Sequence, residues 1–354
     1  MADYPRAMSR EIQISSLLPI SSATEEQIRA VDDRIRLHVL SPQALARLNA
    51  PDPDPDRTVV DAARLDTAAV DQEIAKALTQ SEVWFSFTWP GMQFPPAGGP
   101  LRWIQLASAG ADGILEANPP EGVTITNVSG LHATPIGEWV LAFFLMHAKQ
   151  MPLAHDNQRV AKWTRYQVTN LRGATVAVIG LGAIGAEVAR LSAAFGARVV
   201  ATKRSARPGD RAEHIDALYP NGQLHEVLAM SDYVALCVPF TSETAGLIGA
   251  AEFGAMKETG MLVNIARGPV IDWSAMQTAL HSGEIAAVYT DVTVPEPLPA
   301  DDPSWQTPNL IITPHNSGNM PNYLDEAAQF FIANLRRYVA GEPLTNIVDQ
   351  KLGY

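Results

Sequence analysis

The sequence predicts an α/β protein with two parallel-sheet domains, and three observations carry that prediction. Between Glu11 and Val128, short β-rich runs (IQISSLL, IRLHVL, VWFSF, LRWIQLAS, VTITNV) alternate with helical patterns near Glu25 and from Gln72 to Leu78. Such alternation builds βα units around a largely parallel sheet. After Leu171 the runs TVAVIG, RVVATK, YVALCV, MLVNIA, AAVYTDV and LIITP recur, each followed by a helical pattern. Unbroken Val/Ile/Leu/Ala runs are what strands covered on both faces look like, so this is a second, doubly wound domain. The third observation is the glycine-rich turn GLGAIG directly after TVAVIG.

The length allows this organisation. With 354 residues, and ~150 residues per domain as a guide, two cores can form. Apolar residues make up 47% and charged residues 18%, the balance of a chain that folds by itself. The tract Pro51–Asp56 (PDPDPD) reads as an exposed loop, because proline has no amide donor. Pro135 is placed to open a helix at its first position, and IGEWVLAFFLMHAKQM behind it is apolar on almost every side, which predicts a helix buried all round. It packs either in the core or between domains or subunits. The stretch Asp325–Val339 has helical period.

Charge and composition exclude some classes. Lys plus Arg number 26 against 38 Asp plus Glu, a net charge of −12, which opposes a nucleic-acid partner. Cys237 is the only cysteine, so no intrachain disulfide forms. The N-terminus has no apolar h-region, and the longest apolar block, Trp139–Met146, is far short of the ~20 residues that span a bilayer. A cytoplasmic location is expected.

Gly180, Gly182 and Gly185 have the GxGxxG spacing between a strand and the helical AEVARLSAAFG. The first glycine permits the tight turn, the second lets the backbone approach a pyrophosphate and the third allows close helix packing. The turn Gly180, Gly182, Ala183, Ile184 and Gly185 then presents helix N–H groups to phosphates. Where an acidic residue normally binds the ribose hydroxyls, this chain has Lys203, followed by Arg204, Ser205 and Arg207. These groups suit a 2′-phosphate, or else form an ordinary solvated loop.

Three later strands end in ionisable residues: Arg267 after VNIARG, Asp291 and Glu296 in DVTVPEPLP, and His315 in TPHNSG. In doubly wound sheets the ligand crevice lies outside the carboxyl ends of the strands, so these residues converge there. An arginine fork clamps a carboxylate, a histidine exchanges a proton near neutral pH and a carboxylate favours the protonated imidazole. With hydride from a nicotinamide, the set describes reversible reduction of a 2-keto acid. His38, His132, His147, His155, His214, His225 and His281 lack such placement and mostly read as ordinary core or surface side chains.

The sequence resembles the D-isomer-specific 2-hydroxyacid dehydrogenase family over nearly its whole length, through IQLASAGADGIL, SGLHATPIGEWVLAFFL, GLGAIG, CVPFTSETAGLI, VNIARGPVID, DVTVPEPLP, TPHNSG and ANLRRYVAGEPLTNIVD. The resemblance implies that Arg267 orients the substrate, Glu296 is the acidic partner and His315 gives or takes the proton. It also implies that the backbone of Ser108, Ala109 and Gly110 receives the substrate carboxylate. Asp291 would contact the nicotinamide side, and Pro239, Ile265, Ala266 and Gly318 would line the cofactor. No metal is implied. The implied architecture is a Rossmann cofactor domain, residues 132–318, inserted into a flavodoxin-like substrate domain, residues 1–131 and 319–354, with a homodimer formed through the cofactor domain.

Two positions depart from the family pattern. Lys203 replaces the usual aspartate, which favours NADP (NADPH) with NAD still possible, and Thr293 stands where many members carry phenylalanine. The expected substrates are small 2-keto acids such as glyoxylate or hydroxypyruvate, as in the glyoxylate/hydroxypyruvate reductase-like branch. Formate dehydrogenase shares the fold, but its glutamine replaces the acidic partner, so Glu296 opposes that reading. A nucleotide-sensing corepressor on the same fold is the non-enzymatic alternative, which measured turnover separates.

Overall fold

The computed structural model describes residues 10–48, 67–88, 94–207 and 209–350, and the Pro51–Asp56 tract lies outside them. The chain divides into two compact units. One runs to Leu131 and resumes at Pro321; the other spans His132–Met320.

In the first unit, strands β1 (Ile12–Ser16), β2 (Ile35–Val39), β3 (Val83–Ser86), β4 (Trp103–Leu106) and β5 (Thr124–Thr126) form a parallel sheet in the order β2-β1-β3-β4-β5. That is the flavodoxin-like order. Helices α1 (Ser22–Arg29), α2 (Pro42–Leu48), α3 (Thr67–Gln80) and α4 (Asp112–Glu116) connect them. The start of α1 is locally encoded: the Ser21 hydroxyl accepts the Thr24 N–H at 3.2 Å, satisfying one of the orphan donors of the first turn. Glu25 and Arg29, one turn apart, form an ion pair at 2.7 Å.

The second unit contains α5 (Ala133–Ala148), α6 (Met151–Arg159), β6 (Thr175–Ile179), α7 (Ala183–Ala194), β7 (Arg198–Thr202), β8 (Ala217–Tyr219), α8 (Leu224–Met230), β9 (Tyr233–Leu236), α9 (Ala250–Ala255), β10 (Met261–Asn264), α10 (Trp273–Ser282), β11 (Ala287–Thr290) and β12 (Leu310–Ile312). All strand pairs are parallel, in the order β12-β11-β10-β9-β6-β7-β8. This is the Rossmann arrangement, whose order reverses between β6 and β9. Period-two alternation splits each strand between two cores. Val176 and Val178 face a cluster with Phe144 and Val188, whereas Ala177 and Ile179 face one with Leu228 and Phe253. A fully buried aromatic such as Phe144 or Phe253 contributes roughly 1.5–3 kcal/mol by burial.

The first unit closes with α11 (Tyr323–Ala340). Phe331 of α11 stacks on Phe85 of β3, with centroids 4.9 Å apart. A buried polar chain fixes the helix in register: Asn334 Nδ2 donates to Gln105 Oε1 at 3.1 Å, Thr126 Oγ1 donates to the same oxygen at 2.8 Å, and Trp103 Nε1 donates to Thr126 Oγ1 at 2.8 Å. Each buried polar group thereby keeps a partner, which matters because an unsatisfied one costs ~1–3 kcal/mol.

Three expectations need correction. A seventh strand, β8, joins the second sheet; its three residues are half-buried, too short and mixed a run to stand out in the sequence. Helix α5 starts at Ala133, which makes Pro135 its third residue, still within the turn whose N–H groups lack helical acceptors. Nor is α5 buried all round in this chain: Ile136, Val140, Phe143 and Phe144 are buried, while Trp139, Leu141, Leu145 and Met146 are half-buried and Ala142 is exposed. Only one side of the helix meets its own unit's core. Among the described residues no helix is long and apolar enough to cross a membrane.

Candidate active site

Because every strand of the second sheet runs the same way, the turns after β6, β7, β9, β10, β11 and β12 all leave one edge. The glycine turn after β6 is dictated by close approach. A Cβ on Gly180, whose φ is +98°, would lie 2.8 Å from the Cys237 carbonyl oxygen after β9, and one on Gly185 would lie 2.2 Å from the Gly180 oxygen. Gly182, the N-cap of α7, is extended and exposed, and a Cβ there would meet nothing within 4 Å. Open space thus stands over a helix start whose first N–H groups, those of Ala183, Ile184 and Gly185, have no acceptor within the helix. That cradle fits the pyrophosphate of a dinucleotide.

At the end of β7 the Ala206 N–H donates to the Lys203 carbonyl at 3.0 Å, forming a turn with Lys203, Arg204, Ser205 and Arg207 exposed. The Arg207 N–H is held by the Asp210 carboxylate at 2.8 Å. Pro239 is exposed, and its carbonyl accepts the Thr244 hydroxyl at 2.7 Å. Ile265 and Ala266 are buried.

After β10, the buried side chain of Asn264 shapes the turn that carries Arg267. Its Oδ1 accepts the Ala266 N–H at 3.0 Å and its Nδ2 donates to the Arg267 carbonyl at 3.0 Å. The half-buried Arg267 guanidinium donates to the Ala266 carbonyl at 2.8 Å. Gly268 then lies flat on the β11 loop, where a Cβ would come within 2.1 Å of the Thr293 oxygen. A glycine is therefore required for the arginine turn to rest on the segment leading to Glu296.

Glu296 and His315 meet directly, with Glu296 Oε1 2.5 Å from His315 Nδ1. His315 has a φ of +53°, a left-handed backbone that is uncommon outside glycine. The surrounding loop enforces it. The His315 N–H donates to the Asp291 carbonyl at 2.9 Å. The Asp291 carboxylate, buried to 1% exposure, accepts Thr313 Oγ1 at 2.5 Å, the Asn316 N–H at 3.0 Å and the Ser317 N–H at 2.8 Å.

The charges of this group act on one another. The hydrogen bond from Glu296 raises the His315 pKa above its ordinary value; burial opposes the shift, the Glu296 and Asp291 charges add to it and Arg267 subtracts from it. For Glu296, burial pushes upward, yet the His315 hydrogen bond and charge, a backbone donor at Thr293 and the Arg267 charge together bring its pKa down. The pairing therefore favours imidazolium beside carboxylate.

Of the residues expected at the site, Arg267, Glu296 and His315 come together. Both oxygens of Asp291 accept from the loop bearing His315. Ser108, Ala109 and Gly110 lie in the other unit, in the turn after β4, where Ser108 Oγ donates to the Gly110 carbonyl at 2.9 Å and Asn127 Nδ2 donates to the Ala109 carbonyl at 2.8 Å. Two contributors were missed by sequence reasoning: Asn264 and Gly268. An asparagine closing a buried strand is a readable sign, since it must find partners inside; the close approach of Gly268 has no local signature.

The family model described as "D-isomer specific 2-hydroxyacid dehydrogenase, NAD binding domain" matches residues 141–317. The chain belongs to the D-isomer specific 2-hydroxyacid dehydrogenase family. A glyoxylate reductase of Korarchaeum cryptofilum is 31% identical over 259 residues, 71% of this chain and 77% of that one. A D-3-phosphoglycerate dehydrogenase of Archaeoglobus fulgidus is 32% identical over 252 residues, 70% of this chain but 47% of the relative, so the chain spans about half of that protein's length. Among solved structures, the D-isomer specific 2-hydroxyacid dehydrogenase of Xanthobacter autotrophicus Py2, in complex with NADPH and MES, superimposes with a TM-score of 0.76 at 25% identity, covering 98% of this chain and 100% of that one. As a member of this dehydrogenase family the chain is an NAD(P)-dependent oxidoreductase.

The geometry makes a prediction that needs no substrate. Replacing Glu296 by Gln removes the anion that holds the proton on His315, while burial and Arg267 continue to oppose that proton. An NMR titration of His315 should therefore shift to lower pH in Glu296→Gln, and an unchanged titration would remove Glu296 from the pairing.

Proposed function

We propose that this 2-hydroxyacid dehydrogenase reduces a small 2-keto acid to the D-2-hydroxy acid, or runs the reverse reaction, with NADPH favoured over NADH. In this reading His315 is the general acid/base, Glu296 its acidic partner and Arg267 the carboxylate clamp. The observation that carries it is the 2.5 Å Glu296–His315 pair with Arg267 close enough for its charge to act on both. Glyoxylate is the first substrate to test, because the Korarchaeum cryptofilum relative is a glyoxylate reductase; hydroxypyruvate is the second.

When bound, the nicotinamide cofactor donates or accepts the hydride. The glycine turn, with Pro239, Ile265, Ala266 and Gly318, would hold it. Arg267 offers a planar fork matched to a carboxylate, which aligns the carbonyl. His315 Nδ1 is committed to Glu296, so the proton moves between Nε2 and the substrate oxygen. Glu296 favours the imidazolium needed for reduction, which is present at low pH and is lost as pH rises through the elevated His315 pKa. Oxidation needs the neutral ring and follows the opposite limb.

Replacing His315 by Ala should lower kcat for keto-acid reduction by ~10²–10⁴ while leaving cofactor binding, followed by nicotinamide fluorescence, nearly intact. Turnover close to that of the unmodified enzyme would exclude His315 from the mechanism.

For cofactor choice, the cationic turn Lys203–Ala206 supports a 2′-phosphate, and the Xanthobacter autotrophicus Py2 structure contains NADPH. Exposure and salt weaken such contacts, so the preference in kcat/KM should be roughly tenfold or more. Lys203→Asp combined with Arg204→Ala should move that ratio toward NADH without changing keto-acid selectivity. An enzyme that already favours NADH, or a ratio unmoved in the double variant, would reduce these residues to a solvated loop.

We also read the second unit as the dimer-forming part. Among the described residues, Met151, Leu153, Val160, Trp163 and Val168 form a run of exposed large apolar side chains, with Trp163 97% exposed. They follow the half-covered helix α5. Large apolar groups gathered on one stretch mark an interaction surface. Sedimentation should give the mass of two chains and Trp163→Asp should shift it toward one; a native monomer would refute the pairing.

A further inference from the structure

The imidazole of His132 lies against the loop that carries His315. A Cβ built on Gly318 would stand 3.0 Å from His132 Cδ2 and 3.7 Å from its Cγ and Nε2, so the ring covers the glycine where the loop ends. His132 is the N-cap of α5 and makes no side-chain capping bond there. The near part of the loop, Thr313 to Ser317, is tied by the Asp291 carboxylate, which leaves Gly318 as the end that the carboxylate does not reach.

We propose that His132 is a positioning residue for His315: its imidazole is the seat on which the far end of the Thr313–Gly318 loop rests. This inference rests on the reading of His315 as the acid/base.

Size and charge both support the role. A contact of 3.0 Å at a hypothetical Cβ means that the glycine backbone and the ring are already packed, so the loop cannot drop toward α5 without displacing the imidazole. Burial lowers the His132 pKa, and the His315 charge lowers it further. The groups bearing on His315 are Glu296, Arg267 and Asp291, with His132 against the end of its loop. The two histidines are thus biased in opposite directions, His132 away from its proton and His315, through Glu296, toward it. A lysine at position 132 would place a permanent like charge there, adding to that of Arg267 and opposing the imidazolium.

Two measurements test the assignment. In histidine-labelled protein followed by NMR without substrate, His132→Gln should leave the His315 titration in place, and His132→Lys should lower it by roughly one unit. In the second, Gly318→Ala should reduce kcat, by up to ~10²-fold if the general acid is displaced by about 1 Å. The Gly318→Ala loss should be relieved in the His132→Ala background, because the ring that the new methyl strikes is gone. Thermal unfolding of each variant confirms that it is folded. A His132→Lys titration identical to the native one, or a Gly318→Ala loss that persists in full beside His132→Ala, would overturn the proposal. Should His315→Ala keep its turnover, the acid/base reading falls instead, while the titration still reports whether His132 bears on His315.

Discussion

Asp291 carries a carboxylate to near-complete burial just beyond β11, where an uncompensated ion would cost several kcal/mol. It is tolerated because a hydroxyl and two backbone N–H groups of the Thr313–Gly318 loop end on its oxygens. Read the other way, the loop has its shape because those donors need that carboxylate. His315 takes a left-handed backbone in the middle of this arrangement, a conformation that persists only where neighbours over-determine it. The direction of its imidazole, and hence the meeting with Glu296, follows from the buried anion.

The loops are also joined by contacts in which no side chain takes part. Gly180 touches the turn after β9, and Gly268 touches the loop after β11 at distances that no other residue permits. Consecutive strand ends are thereby packed backbone to backbone at one sheet edge. Asn264 adds a polar clasp from below, holding the Arg267 turn on both sides of its peptide. The positions of Arg267, Glu296 and His315 thus depend on residues that have no charge in play.

Electrostatically the group is balanced around one proton. Glu296 and Asp291 favour it on His315, while Arg267 and burial disfavour it. The anions prevail because one of them is hydrogen-bonded to the ring, and a direct bond outweighs a charge acting through space. A cation for a carboxylate and an imidazolium for a carbonyl oxygen can then stand in one site.

The α/β class, the two parallel sheets and the family were legible in the sequence, because buried parallel strands write themselves as apolar runs and because TVAVIGLGAIG and DVTVPEPLP combine strand and turn signals in one stretch. That Arg267, Glu296 and His315 would leave a common edge was legible too, since parallel strands place their carboxyl ends together. The short β8 was not, its three half-buried residues carrying too little pattern. Helix α5 looked fully buried because composition records apolarity but not what covers it. The work of Asp291, Gly268 and His132 belongs to the tertiary structure alone. Each acts through a partner more than twenty residues away in the chain, and such pairings become definite only when the sheet order has brought the strand ends side by side.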